Sequence, residues 1–461
     1  MITRRSFLSG AAAAIASYAS PRGDTRRLET FTDWVRAPRT ERERALETLA
    51  ARIRELDAPV HAWVQIAPEK ATGRGALDSI PFGVKDIIET KGLATEYGSP
   101  IYKGRIGAED AAIVRDLRGR GGVVMGKTHT AAFAYRTPAP TRNPRDLAHT
   151  PGGSSSGSAA AVAAGMIPFA LGTQTGGSVL RPASYCGVTG LKPTYGLVPL
   201  DGVLPFAKSL DTLGFFTHTA ADMIALWDAM GRATSAGGDV PPMAVADPLP
   251  KVEAPMSAAF ARTIARLRAA GLAITGIDLG SMLGDLGAAN RTIMFYEGAR
   301  VHEQRYKQYG ERLEHMAALV RDGLKIPVET YDDARRRADR WRPRIADVYK
   351  ATPIVLVPAA TGPAPLGLES TGDSSMNSPW TTLGVPAITI PMPVGDTLPL
   401  GLQLTAAHGD EARLLRTAAR IESLLNGSGG SGGSGRSGGS GGSGRSGGSR
   451  RSGESGGSAV A

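Results

Sequence analysis

Apolar residues recur along this chain with two different periods. Ala45, Leu46, Leu49, Ile53 and Leu56 repeat in steps of three and four, as do Ala111, Val114 and Leu117; that spacing predicts helices with one buried stripe. Val123–Met125, Ile354–Val357 and Ala387–Ile390 are short unbroken apolar runs, the pattern of strands covered on both faces. The two patterns alternate, which predicts a layered α/β fold around a largely buried sheet. From about Ala220 to Tyr349 helical patterns dominate, with Phe260, Ile264 and Leu267 one example; this stretch is expected to be a helical cover. No repeat or Gly/Pro-rich linker divides the body, so residues 20–426 are read as a single domain.

Composition changes the picture at the two ends. From Gly427 onward the chain is Gly and Ser punctuated by Arg, too poor in apolar side chains to order itself, so 427–461 is expected to be a flexible tail. At the other end, Arg4-Arg5 precede the small apolar run Ala11–Ala16, and Ser17-Tyr18-Ala19 has small residues at its first and third positions. Paired arginines before a short apolar segment resemble a twin-arginine export signal, with cleavage expected after residue 19 and a periplasmic or secreted product. The apolar run is too short to span a bilayer, and no stable membrane insertion is expected. The formal net charge of +10 suggests a nucleic-acid partner at first sight. About half of it lies in the leader arginines and in Arg436, Arg445, Arg450 and Arg451 of the tail against Glu454, so the body needs no polyanion. The single cysteine, Cys186, excludes an internal disulfide and a cysteine-rich metal site.

The candidate chemistry is concentrated between residues 150 and 182. Thr150-Pro151-Gly152-Gly153-Ser154-Ser155-Ser156-Gly157-Ser158 runs into an Ala-rich stretch and then Ile167–Leu171, followed by Gly172-Thr173-Gln174-Thr175-Gly176-Gly177-Ser178-Val179-Leu180-Arg181-Pro182. A flexible linker would not continue into alanine-rich helix and apolar strand. Glycines beside a serine let backbone approach a substrate closely, and consecutive N–H groups in such a turn can converge on one negative oxygen. A free serine hydroxyl is a poor nucleophile and needs a base. Residues 158–164 read as a tightly packed helix, with Ser154 near its N-terminus.

These runs, with Cys186-Gly187-Val188-Thr189-Gly190-Leu191-Lys192-Pro193-Thr194 downstream and Pro81-Phe82-Gly83-Val84-Lys85-Asp86 upstream, resemble the amidase-signature family. The resemblance covers nearly all of the chain between leader and tail. It implies a large mixed β-sheet covered by helices on both faces, a small-molecule amide as substrate and no cofactor. It also implies roles: Ser178 as nucleophile, Ser154 as a bridging serine after a cis peptide bond, and Lys85 as base. The N–H groups of Thr175, Gly176, Gly177 and Ser178 match the oxyanion hole. Gln174 stands where many relatives carry an acid and Leu180 where many carry arginine, with Arg181 one place later. That arrangement resembles the malonamidase-like branch, in which an arginine holds a substrate carboxylate; the other reading of Arg181 is a structural arginine bound to nearby carbonyls.

Two other motifs compete for attention. Gly121–Thr128 matches a phosphate loop letter by letter, but Val123–Met125 reads as the strand itself, where such a loop should follow one. Asp86 and Lys127 are accordingly read as structural. Gly153–Gly157 matches a nucleophile elbow centred on Ser155, but the preceding Leu147–Pro151 makes a poor strand. His218, His302, His315 and His408 sit in no persuasive motif, and no pair has metal-ligand spacing. The rival functions are an amidotransferase component, which would pass ammonia to a transfer-RNA-linked amino acid, and a non-catalytic binder on the same scaffold. Charged transfer RNA is cytoplasmic, so the export signal argues against the first and no nucleic-acid partner is expected. Retention of Lys85, Ser154 and Ser178 together argues against the second. Whether the chain forms a homo-oligomer is left open.

Overall fold

A computed structural model describes residues 27–234 and 239–427. The expected leader (1–19) and almost all of the expected tail (427–461) therefore lie outside the described residues. Contacts divide the chain into two units, Met1–Asn426 and Gly427–Ala461, and every element described belongs to the first.

One sheet of eleven strands organises the fold. In chain order these are β1 (Trp63–Ile66), β2 (Pro81–Lys85), β3 (Val123–Thr128), β4 (Phe169–Gln174), β5 (Thr189–Lys192), β6 (Thr212–Thr217), β7 (Met243–Ala246), β8 (Ile274–Ile277), β9 (Ile354–Pro358), β10 (Ala387–Pro391) and β11 (Gly401–Ala406). They lie in the order β1-β3-β2-β4-β6-β5-β10-β11-β9-β7-β8. The sheet is mixed: β2 runs parallel to β3 and β4, while β4 is antiparallel to β6. Every residue of β2, β3, β4, β6 and β11 is buried, which requires cover on both faces.

That cover comes from twelve α-helices among the described residues: α1 (Phe31–Arg36), α2 (Arg39–Asp57), α3 (Ala112–Gly119), α4 (Ser156–Ala163), α5 (Leu180–Cys186), α6 (Ala220–Ala229), α7 (Ala254–Ala269), α8 (Met282–Tyr309), α9 (His315–Gly323), α10 (Val328–Ala351), α11 (Ser378–Leu383) and α12 (Glu411–Asn426). The helices expected around Ala45–Leu56 and Ala111–Leu117 are α2 and α3, and the three apolar runs are β3, β9 and β10. The helical reading of Ala220–Tyr349 needs correction, because β7 and β8 lie inside it. Both are four residues long, and β8 keeps only Ile274 buried; neither is long enough to establish a period of two.

The serine-rich helix is shifted slightly from its expected start, beginning at Ser156. All residues from 156 to 162 are buried, so small side chains are needed on every side. Gly157 is the clearest case: a Cβ there would sit 2.1 Å from Ala62 O and 2.4 Å from His129 N. This close approach seats α4 against the β2–β4 part of the sheet and places the residues before it, 152–155, beside the ends of those strands.

Candidate active site

β2 and β4 are parallel neighbours, and both end at the same edge of the sheet. Lys85 is the last residue of β2 and Gln174 the last of β4. Crevices at the carboxyl ends of parallel strands are where open α/β sheets place their ligands.

Lys85 is completely buried. Its side-chain nitrogen lies 2.8 Å from Ser154 Oγ, 2.8 Å from Thr173 Oγ1 and 3.5 Å from Thr173 O. No carboxylate among the described residues pairs with it. Burial pushes its pKa well below the usual lysine value, with only a partial opposing pull from the Asp211 carboxylate. The loss of hydration favours the neutral form of this amine.

Ser154 follows a cis peptide bond from Gly153. Its backbone is tied on both sides: Ala131 N donates to Ser154 O at 3.0 Å, and Arg181 Nη2 donates to Gly153 O at 2.6 Å. Ser154 is 3 % exposed, while Ser178 in the turn between β4 and α5 is half-buried. Both line one cavity of about 640 Å³, together with Thr175, Gly176, Gly177 and Arg181. Lys85 and Ser154 are thus in direct contact, and Ser154 and Ser178 share a cavity. The side chain of Ser178 makes no hydrogen bond among the described residues.

The turn carrying Ser178 is held by its carbonyls. Asn290 Nδ2 donates to Thr175 O at 3.2 Å, Thr381 Oγ1 donates to Gly176 O at 2.7 Å, and Arg181 N donates to Gly177 O at 3.1 Å. In a trans peptide plane the N–H of the next residue points opposite to the carbonyl. Three successive anchors therefore turn the N–H groups of Gly176, Gly177 and Ser178 away from the protein atoms that hold the carbonyls. None of the three donates to another group among the described residues. Thr175 is fixed further by its hydroxyl, which donates to Asp211 Oδ1 at 2.6 Å. Asp211 is itself buried, with its pKa raised to about 6 chiefly by desolvation, and its other oxygen accepts from Phe206 N and Ala207 N.

Arg181 is 5 % exposed. Besides Gly153 O it reaches Thr371 Oγ1 at 3.3 Å, and its Nε is buried without a partner. Desolvation lowers its pKa, with Tyr185 and Asp373 opposing. The guanidinium therefore makes a carbonyl contact, as one reading expected, and also lines the cavity with no ion pair among the described residues.

The rest of the cavity wall was invisible to motif reading. One face of α8 contributes Gly287, Asn290, Arg291, Met294 and Phe295, and the loop 369–375 faces it. Asn290, Thr381 and Asp211 carry no motif. Their only signal is a polar residue at a position where helix or strand pattern demands burial. The competing motifs resolve as structure. Lys127 lies within β3, fully buried, and donates to Ile88 O at 2.7 Å and Thr95 Oγ1 at 2.8 Å. Ser155 Oγ donates to Thr173 O at 3.2 Å, with no histidine partner. Among the described residues no three His, Cys, Asp or Glu side chains gather as a metal site, and no helix is long and apolar enough to cross a membrane.

A family model described as Amidase matches residues 44–415. A glutamyl-tRNA(Gln) amidotransferase chain of Lysinibacillus sphaericus (strain C3-41) is 34% identical over 443 residues, covering 80% of this chain and 90% of its own. A crystal structure of an amidase superposes with a TM-score of 0.75 at 27% identity, over 84% of this chain and 100% of that one. The corresponding glutamyl-tRNA(Gln) amidotransferase chain from Thermotoga maritima gives 0.74 at 28% identity, over 87% and 96%. The match spans Lys85, Ser154 and the turn carrying Ser178, and the chain belongs to the amidase family of amide-hydrolysing enzymes.

Proposed function

We propose that the chain hydrolyses a carboxamide through an acyl-enzyme on Ser178, with Ser154 and Lys85 as its proton relay. The observation that carries this reading is the buried Lys85 amine 2.8 Å from Ser154 Oγ, with no carboxylate partner among the described residues. A neutral amine has two N–H bonds and one lone pair. The N–H bonds are satisfied by Thr173 Oγ1 and Thr173 O, leaving the lone pair for the Ser154 proton. Ser154 in turn takes the proton of Ser178 as Ser178 Oγ bonds to the amide carbon. The negative charge on the former carbonyl oxygen is met by the N–H groups of residues 175–178. Collapse breaks the C–N bond, and the proton returns through the relay to the departing ammonia or amine. Water then adds to the ester by the same route and frees the acid. Arg181 is proposed to hold a carboxylate on the substrate, because its Nε is buried without a partner and its planar fork suits that group.

The test is labelling with a fluorophosphonate probe followed by peptide mapping. An adduct on Ser178 that is lost in Ser178→Ala is expected. A folded Ser178→Ala enzyme with full turnover would remove this nucleophile.

A second reading is supported by the amidotransferase relatives: the same chemistry would release ammonia from a glutamine amide for a partner protein. Hydrolysis of simple amides by the isolated chain, without stimulation by charged transfer RNA, is expected under the first reading and not under the second. The Arg4-Arg5 leader supports the first, and we propose export to the periplasm or beyond. Immunoblotting of cell fractions checks it: a full-length product confined to the cytoplasm would refute it.

A further inference from the structure

Gln174 is the last residue of β4 and is completely buried. Its side chain is used at both ends. Val179 N and Leu180 N lie 2.9 and 3.1 Å from its Oε1. Backbone N–H groups can only donate, so the amide oxygen must face them, and the amide nitrogen must face the other way. There Nε2 meets Thr381 Oγ1 at 3.0 Å.

This contact sets a direction. Thr381 has one O–H proton. Because Gln174 donates to its oxygen, that proton is free to go to Gly176 O, 2.7 Å away, with Asn377 O a longer alternative at 3.2 Å. We infer that Gln174 is a positioning residue whose amide, through Thr381, polarises a hydrogen-bonded chain that fixes the Gly176–Gly177 peptide plane and so aims the Gly177 N–H at the oxyanion. The inference rests on the oxyanion role proposed for residues 175–178. An ionised acid at 174 would accept from Val179 and Leu180 equally well, but it cannot donate. Thr381 would then turn its proton to the carboxylate, and the Gly176 carbonyl would lose its anchor. The geometry is tight on the other side as well: a Cβ on Gly177 would lie 2.5 Å from Asn377 Oδ1, so the plane has little room to settle elsewhere. The amide is therefore matched to a threonine hydroxyl 207 residues away in sequence.

The experiment uses Thr381→Val, Thr381→Ser and Gln174→Glu, each with Ser178 intact, and measures kcat and KM on one amide across pH. Thr381→Val keeps the shape and is expected to lower kcat about tenfold with KM within about twofold, part of the roughly 10²–10³ that a lost oxyanion donor costs. Thr381→Ser should restore it. Gln174→Glu should behave like wild type where the new acid is protonated and lose kcat as it ionises with rising pH. That limb should be absent in wild type and in Gln174→Glu/Thr381→Val. Wild-type kcat in Thr381→Val, a loss confined to KM, or a Gln174→Glu profile parallel to wild type would each overturn the inference. Turnover that survives Ser178→Ala would instead overturn the proposed mechanism beneath it.

Discussion

Two lysines sit side by side in this sheet in different surroundings. Lys85 ends β2 and Lys127 lies near the end of β3; in the parallel register Lys85 pairs with Thr128 and Lys127 with Val84. Side chains paired across a parallel ladder share a face and successive residues alternate, so the two amine groups emerge on opposite faces. Both are completely buried. Their partners differ. Lys127 is 3.9 Å from the buried Asp86 carboxylate and donates to a backbone carbonyl and a hydroxyl; desolvation lowers its pKa only to about 8 because Asp86 pulls it back. Lys85 has hydroxyls and one distant carbonyl, and desolvation pushes its pKa well below the usual lysine value. Burial alone does not decide the charge of an amine: loss of water favours the neutral form, and a carboxylate beside it favours the ion pair.

Ser178→Ala probes the Lys85 side most severely, with kcat expected to fall on the order of 10⁴-fold or more, as for other serine nucleophiles; residual turnover by a folded variant measures it. Lys85→Met follows, with a loss of about 10³-fold or more as the relay loses its base. In the wild type, kcat/KM should decline as pH falls through the lowered Lys85 pKa, because only the neutral amine accepts a proton. A profile flat through acid pH would put Lys85 on the same footing as Lys127. Asn290→Leu frees the Thr175 carbonyl and should cost about tenfold in kcat with little change in KM. Lys127→Met closes the series. Its kcat per folded molecule should stay within about twofold, while denaturant unfolding shows a loss of about 3 kcal/mol for stranding the Asp86 carboxylate. Arg181→Leu tests specificity separately: amides bearing a free carboxylate should lose more kcat/KM than neutral ones, and equal losses would leave Arg181 as a carbonyl clamp.

The sequence was informative where chemistry is local. Three short motifs led to Lys85, Ser154 and the turn ending at Ser178, and unbroken apolar runs marked β3, β9 and β10. It was silent where chemistry is assembled from afar. Asn290 lies on α8 and Thr381 on α11, each over 100 residues from the turn it holds, and neither neighbourhood has a pattern that sets it apart from ordinary helix. β7 and β8 escaped for a different reason: four residues at a sheet edge hold too few alternations to outweigh the helices around them. The phosphate-loop spelling around Lys127 shows the converse hazard, since every letter matches while Val123–Thr128 form a strand.

The hold on the turn carrying Ser178 has a consequence for how the enzyme comes into being. Lys85, Ser154 and Ser178 are all in the first half of the chain, but two anchors of the turn carrying Ser178 arrive later: Asn290 from α8 and Thr381 from α11. A ribosome that has released residue 250 has delivered Lys85, Ser154 and Ser178 and has yet to supply Asn290 and Thr381, which hold the Thr175 and Gly176 carbonyls. The hydrogen-bonded frame of this turn is therefore completed only after α8 and α11 have been made.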